Sequence, residues 1–169
     1  MSEQKNANRE QVIILAEEGK YLTFALGREE YGLEILKVRE IIGLMDITGV
    51  PQMPVYVKGV INLRGKVIPV IDLRLKFGMK ELQYTGETCI IVLSVNETLM
   101  GIVVDRVCEV LDIPQGSIEP APAFGANIST EFIIGMGKVG EKVKILLNIG
   151  KVLTEDVTLT GGLTESAAQ

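Results

Sequence analysis

The sequence predicts an all-β protein built as two small barrels related by an internal repeat. Three observations carry this. Apolar residues recur at every second position, with Leu22, Phe24 and Leu26 in one run and Leu33 and Ile35 in the next, the period of a half-buried strand. Turn residues such as Gly27, Gly65 and Asn96 punctuate these runs at short intervals. Segments also recur. Placing Gly32 on Gly101 sets Leu33 on Ile102, Ile35 on Val104, Glu40 on Glu109 and Ile41 on Val110. Placing Asp72 on Asn148 then sets Leu73 on Ile149 and Phe77 on Leu153, so two helix-cap residues coincide.

Residues 1–19 are polar and charged around the apolar run Val12–Ala16 and are expected to form a mobile tail. Tyr21–Leu26 and Tyr31–Ile35 form a first hairpin across Gly27–Glu30. Leu36–Ile42 reads as a short turn leading into a strand over Glu40–Leu44. Pro54–Gly59 has Pro at its start and Gly at its end, the pattern of one helical turn. The next hairpin has β-branched runs at Val60-Ile61 and Val67–Ile71 around Gly65. Pro69 cannot donate to a ladder, so its strand is expected at an edge or at a bulge. Asp72 caps a short helix over residues 73–77, stopped by Gly78.

Met79–Thr88 is polar and marks the internal boundary. A hairpin follows over Cys89–Val95 and Met100–Val104, extended by Val107, Val110 and Leu111. Pro114–Ser129 is a long loop. Phe132–Ile134 and Val143–Leu147 form the last hairpin, and Asn148 caps a short helix over Ile149–Leu153. The expected lobes are about 20–80 and 88–153 within one domain of 20–153, followed by a C-terminal tail over 154–169. Whether the lobes exchange strands is open at this point. Each half is too small for an extended open sheet with a good core. A closed barrel hides most edges, and two packed barrels leave a groove suited to a partner helix.

Composition narrows the function. The 169 residues are 47% hydrophobic, so the chain is a packed globule. Net charge is −5, from 17 basic and 22 acidic residues, with no basic block to meet a phosphate backbone, so nucleic acid is not an expected partner. No uncharged apolar run approaches the roughly 18 residues needed to span a bilayer, and the start lacks a signal-peptide core. Direct membrane insertion is not expected, and a cytoplasmic location is. Cys89 and Cys108 sit in apolar runs and read as reduced core thiols. The chain has no histidine, which removes Ser-His and Cys-His nucleophile pairs and histidine metal sites. The common glycine-rich phosphate cradles are also missing. A binding protein with no cofactor or metal is favoured over an enzyme.

The hairpin over Gly59–Arg74 carries the main functional candidates. Its tip holds Arg64 and Lys66, with Lys58 and Arg74 at its bases. A cationic tip on an acidic protein points to a partner surface, against the plainer reading of a solvated turn.

Several separated segments together resemble the CheW family, the coupling proteins of bacterial chemotaxis. They are Tyr21–Gly27, Glu30–Ile41, Gly59–Gly65, Val67–Leu73, Gly101–Asp105 and Pro120–Phe124, and the resemblance runs from Tyr21 to Leu153. It implies two SH3-like five-stranded barrels and no catalysis. It also implies two partners: the cytoplasmic tip of transmembrane chemoreceptors and the regulatory domain of the histidine kinase CheA, arranged in membrane-bound arrays. By position, Val38, Glu40, Arg64 and Val110 resemble receptor-side residues, with plain core packing the competing reading for Val38 and Val110. Lys58, Gly59 and Phe124 resemble kinase-side residues, and Gly59 has the alternative of merely ending a turn. Ala123 stands where relatives often carry an acidic residue, which puts a salt bridge there in doubt. A regulatory domain separated from a larger signalling protein and a small-molecule-binding barrel are the alternatives.

Overall fold

The computed structural model describes residues 19–121 and 130–168. The Val12–Ala16 run, Ala123 and Phe124 lie outside the described residues. Strands β1 (Lys20–Leu26) and β2 (Glu29–Glu34) form the first hairpin. A 3-10 turn, Ile35–Lys37, leads into β3 (Val38–Gly43), so the short turn before a strand is present. The hairpin of β4 (Val57–Leu63) and β5 (Lys66–Asp72) precedes the one-turn helix α1 (Leu73–Lys76). Strands β6 (Cys89–Val95), β7 (Thr98–Val104) and β8 (Arg106–Asp112) follow. Inside the expected long loop lie a second 3-10 turn, Gln115–Ser117, and the short β9 (Ile118–Glu119). The chain closes with β10 (Ile133–Val139), β11 (Lys142–Leu147) and helix α2 (Ile149–Ala168).

The two halves exchange strands. One sheet has the order β8-β1-β2-β11-β10-β9 and the other β3-β6-β7-β5-β4. The first hairpin of each half thus pairs with the later strands of the other half, and neither sheet is built from one continuous segment. The exchange follows the repeat residue by residue. Leu22 pairs with Val110 in one sheet, as Ile91 pairs with Ile41 in the other. Gly32 lies opposite Leu146 as Gly101 lies opposite Val70. Val107, Val110 and Leu111, expected to extend the β6–β7 hairpin, instead form β8 against β1.

One core serves both sheets. Leu22, Phe24, Leu33, Ile71, Ile91 and Ile102, drawn from both, belong to a single buried cluster. Each such side chain contributes about 1.5–3 kcal/mol on burial, so separating the halves would expose the core of both.

Two local expectations change. Pro54–Gly59 is not a helical turn, because the Val57 N–H closes a tight turn on the Pro54 carbonyl at 2.9 Å and β4 starts there. The edge position expected for Pro69 is not found, since it is on an inner strand, β5, between β4 and β7. The β4–β5 ladder does shift register close by, between Val57 and Gly59. The missing N–H of Pro69 is tolerated for a local reason. Val60, opposite Pro69, turns its N–H and C=O away to Thr48, at 2.9 and 2.8 Å. The β5–β7 pairing begins only at Val70. The Thr48–Val60 bridge repeats in the other half as the pairing of Glu119 with Met136.

Both helix caps form. Asp72 Oδ1 accepts from the Leu75 N–H and Asn148 Oδ1 from the Lys151 N–H, each at 3.2 Å. Helix α2 continues well beyond the Ile149–Leu153 stretch expected from sequence. Ile149, Val152, Leu153, Asp156 and Thr160 make one buried face, at helical spacing, against β5 and β6. Asp156 accepts from the Tyr56 hydroxyl at 2.7 Å and from Lys76. A second tie joins the halves: Arg74 Nε and Nη2 donate to the two oxygens of Asp105 at 2.7 and 2.8 Å.

Candidate protein-interaction site

The β4–β5 turn is tight, with Leu63 opposite Lys66 and only Arg64 and Gly65 between them. Both central residues have left-handed backbone, φ +52 at Arg64 and +86 at Gly65, the geometry that suits the twist of a two-residue hairpin. For Arg64 this conformation costs about 1 kcal/mol. The equivalent turn of the other half puts Gly140 there, at φ +62. The Asn62 side-chain oxygen accepts from the Gly65 N–H at 2.9 Å and pins the turn.

Arg64 reaches Glu40. Its Nη1 donates to Glu40 Oε1 at 3.0 Å and its Nη2 to Oε2, a two-pronged contact. The Arg64 hydrogen bonds hold the Glu40 carboxyl below its ordinary value, and Glu40 raises the guanidinium. Glu40 lies on β3 and Arg64 just beyond β4, the two outer strands of the five-stranded sheet. Laid flat, four steps of about 4.8 Å would hold those strands about 19 Å apart. Their contact therefore requires the sheet to roll up on itself. A groove of about 470 Å³ opens beside the pair, with Leu63, Ile68, Val92 and Leu99 along it and Arg39 and Lys66 as further cations. The Arg64 side chain stays 68% exposed, so its donors remain within reach of a partner carboxylate.

The other receptor-side candidates divide. Val38 is on β3 with Glu40, opposite Leu93, half-buried against the shared core. Val110 is half-buried against the same core but stands on β8 of the other sheet. Of the kinase-side candidates, Lys58 is engaged by its own chain. Its Nζ is 3.1 Å from Glu81 Oε1 and 5.7 Å from the centre of the Tyr84 ring. Gly59 is buried with φ +141. A side chain there would strike the Thr48 backbone, so the close approach that requires glycine is internal.

Sequence reasoning missed Asn62 as the residue that shapes the tip. Its signal was available: an Asn three residues before Gly is the pattern of a side-chain-capped turn. Cys89 and Cys108 are free and half-buried, and burial raises both thiols. Among the described residues no cluster of carboxylates and thiols is arranged to hold a metal, and no helix is long and apolar enough to cross a membrane.

A family model described as the CheW-like domain matches residues 20–157. The chain belongs to the CheW-like family. Among curated CheW relatives, the chemotaxis protein CheW of Klebsiella aerogenes is 43% identical over 87% of this chain and 89% of its own. That of Helicobacter pylori is 36% identical over 81% of this chain and 82% of its own. The crystal structure of the scaffolding protein TtCheW from Thermoanaerobacter tengcongensis superposes with a TM-score of 0.75 at 37% identity, over 80% of this chain and 92% of that one. The two-sheet arrangement is thus a CheW fold.

Proposed function

We propose that the protein is a non-enzymatic chemotaxis adaptor. It binds the cytoplasmic tip of transmembrane chemoreceptors and the regulatory domain of the histidine kinase CheA, and so helps to build the receptor–kinase array on the cytoplasmic side of the membrane. The observation that carries this reading is the match to CheW proteins along nearly their whole length. Binding two partners at once raises the effective concentration of one near the other. Passing a signal requires in addition that the adaptor favour one kinase arrangement over another.

In this reading Glu40 and Arg64 meet the receptor, with Val38 and Val110 as apolar contacts. Lys58, Gly59 and Phe124 belong to the kinase side. Charges at such a rim set register and partner choice more than raw affinity. The test is a titration of the labelled protein with the kinase regulatory domain and, separately, with a soluble receptor-tip hairpin, read from amide shifts. Saturable shifts on two different faces are expected. No binding of either partner at concentrations on the order of tens of micromolar, where weak transient interfaces still register, would overturn the proposal.

A further inference from the structure

We propose that Asn62 is a positioning residue for the receptor-side site. Its side-chain oxygen, bonded to the Gly65 N–H, sets the left-handed turn that delivers the Arg64 guanidinium to Glu40 and to the partner. The inference rests on the receptor-side reading of Arg64 for its functional half, and its structural half stands without it.

The internal repeat supplies the comparison. The equivalent turn on β10–β11 has Lys138, Val139, Gly140 and Glu141 where the first has Asn62, Leu63, Arg64 and Gly65. That hairpin closes with no Asn at the matching position and with Gly in the left-handed place of Arg64. The fold therefore does not demand Asn62 for hairpin closure. Of these two equivalent turns, only the one with Asn62 carries a charged side chain in the unfavourable left-handed conformation. A non-glycine residue held in that region persists where its surroundings over-determine it. Here the surroundings are two: the Asn62 hydrogen bond on the backbone and the Glu40 contact on the side chain. Without the Asn62 bond the turn gains alternatives in which Arg64 relaxes from φ +52. The guanidinium then swings off Glu40, because a long side chain amplifies a small backbone rotation. Glu40 loses its donors and the groove loses its oriented cation.

The test uses Asn62→Ala and Asn62→Ser, with Arg64→Ala as reference. Serine keeps a side-chain acceptor without adding charge. The first readout is the Glu40 carboxyl titration, followed by side-chain carbonyl NMR in the full chain without any partner. Asn62→Ala is expected to move the Glu40 titration upward towards that of Arg64→Ala, and Asn62→Ser to restore part of the difference. The second readout is affinity for a soluble receptor-tip hairpin. Asn62→Ala is expected to weaken it about threefold to tenfold, the net scale of one ordinary hydrogen bond. A Glu40 titration left unchanged in Asn62→Ala overturns the proposal, whatever happens to the melting temperature. If Arg64→Ala binds the hairpin as the unmodified protein does, the receptor-side reading fails. The Glu40 titration then still decides whether Asn62 positions Arg64.

Discussion

A Cβ atom on Gly59 would lie 1.9 Å from the carbonyl oxygen of Thr48. Closeness of this kind serves the fold first. It lets the loop segment at Thr48 bridge to Val60 across the outer edge of the β4–β5 hairpin. Gly59→Ala adds both this clash and a strained left-handed φ, and should cost about 3 kcal/mol. Gly135 holds the equivalent place, where a Cβ would meet the Glu119 carbonyl at 2.7 Å. Gly135→Ala, which lacks the left-handed strain, should cost less. Urea unfolding of both variants gives the order. A Gly59→Ala protein of undiminished stability would contradict the bridge. Loss of kinase binding in a Gly59 variant is informative only beside its stability.

Arg64→Glu should leave the melting temperature essentially unchanged, since exposed ion pairs contribute little to stability. Receptor-hairpin binding should fall because the tip charge is reversed. Adding Glu40→Arg restores the internal pair with opposite polarity. If only the pair's geometry mattered, binding would return. If the partner reads the Arg64 cation, it stays weak, which is the expected outcome of the titration.

Asp105 predicts an acid-sensitive tie. Burial raises its pKa, but hydrogen bonds from Arg74 and the Gly27 N–H outweigh this and leave it below the ordinary value. A carboxylate with a depressed folded pKa stabilises the protein fully above its unfolded pKa of about 3.9 and loses that contribution as pH falls through the folded pKa. Asp105→Asn should therefore cost about 2 kcal/mol near neutrality. The gap in melting temperature between the variant and the unmodified protein should shrink below about pH 4. A gap independent of pH would show that charge is not its source.

Helix α2 is anchored by a buried carboxylate. Asp156 accepts from Tyr56 and Lys76, and the Lys76 ammonium lies 4.7 Å from the centre of the Tyr56 ring. Removing the carboxylate in Asp156→Ala strands the Lys76 charge and should cost about 3 kcal/mol, whereas Tyr56→Phe should cost about 1 kcal/mol. Burial, with the Asp156 hydrogen bond next, pushes the Tyr56 hydroxyl up to about 12. Its neutral form stabilises the fold fully below the ordinary tyrosine value of about 10, and that contribution is lost as pH rises through the folded value. An alkaline absorbance titration should show late tyrosine ionisation, and one such phase should vanish in Tyr56→Phe.

Much of the fold was legible locally. Alternation in Leu22–Leu26 and Leu33–Ile35, the turn at Asn96 and the caps Asp72 and Asn148 are each encoded within a few residues. Local signals of that kind can be read without knowing what lies across the sheet. The Pro69 and Val107–Leu111 readings changed for the opposite reason. Pro69 is acceptable on an inner strand because Val60 bonds to Thr48 and the pairing with β7 begins only at Val70, facts about distant segments. Helix α2 outruns its expected end because Asp156 and Thr160 find buried partners there, and partners overrule propensity.

The receptor-side candidates show the same division. The charge of the hairpin tip pointed to Arg64 and the resemblance to CheW proteins to Glu40 beside it, but their mutual contact was visible only once the sheet was rolled up. The amino-acid sequence settles most of the strands, the hairpin turns between them, and that two halves repeat. The tertiary structure decides which strands pair. Because the halves are alike, β1 and β6 offer nearly equivalent faces to β3 and β8, and periodicity alone cannot choose between them. The exchange is selected by non-local packing of one shared core, and that same packing brings Arg64 to Glu40 and presses Gly59 against Thr48.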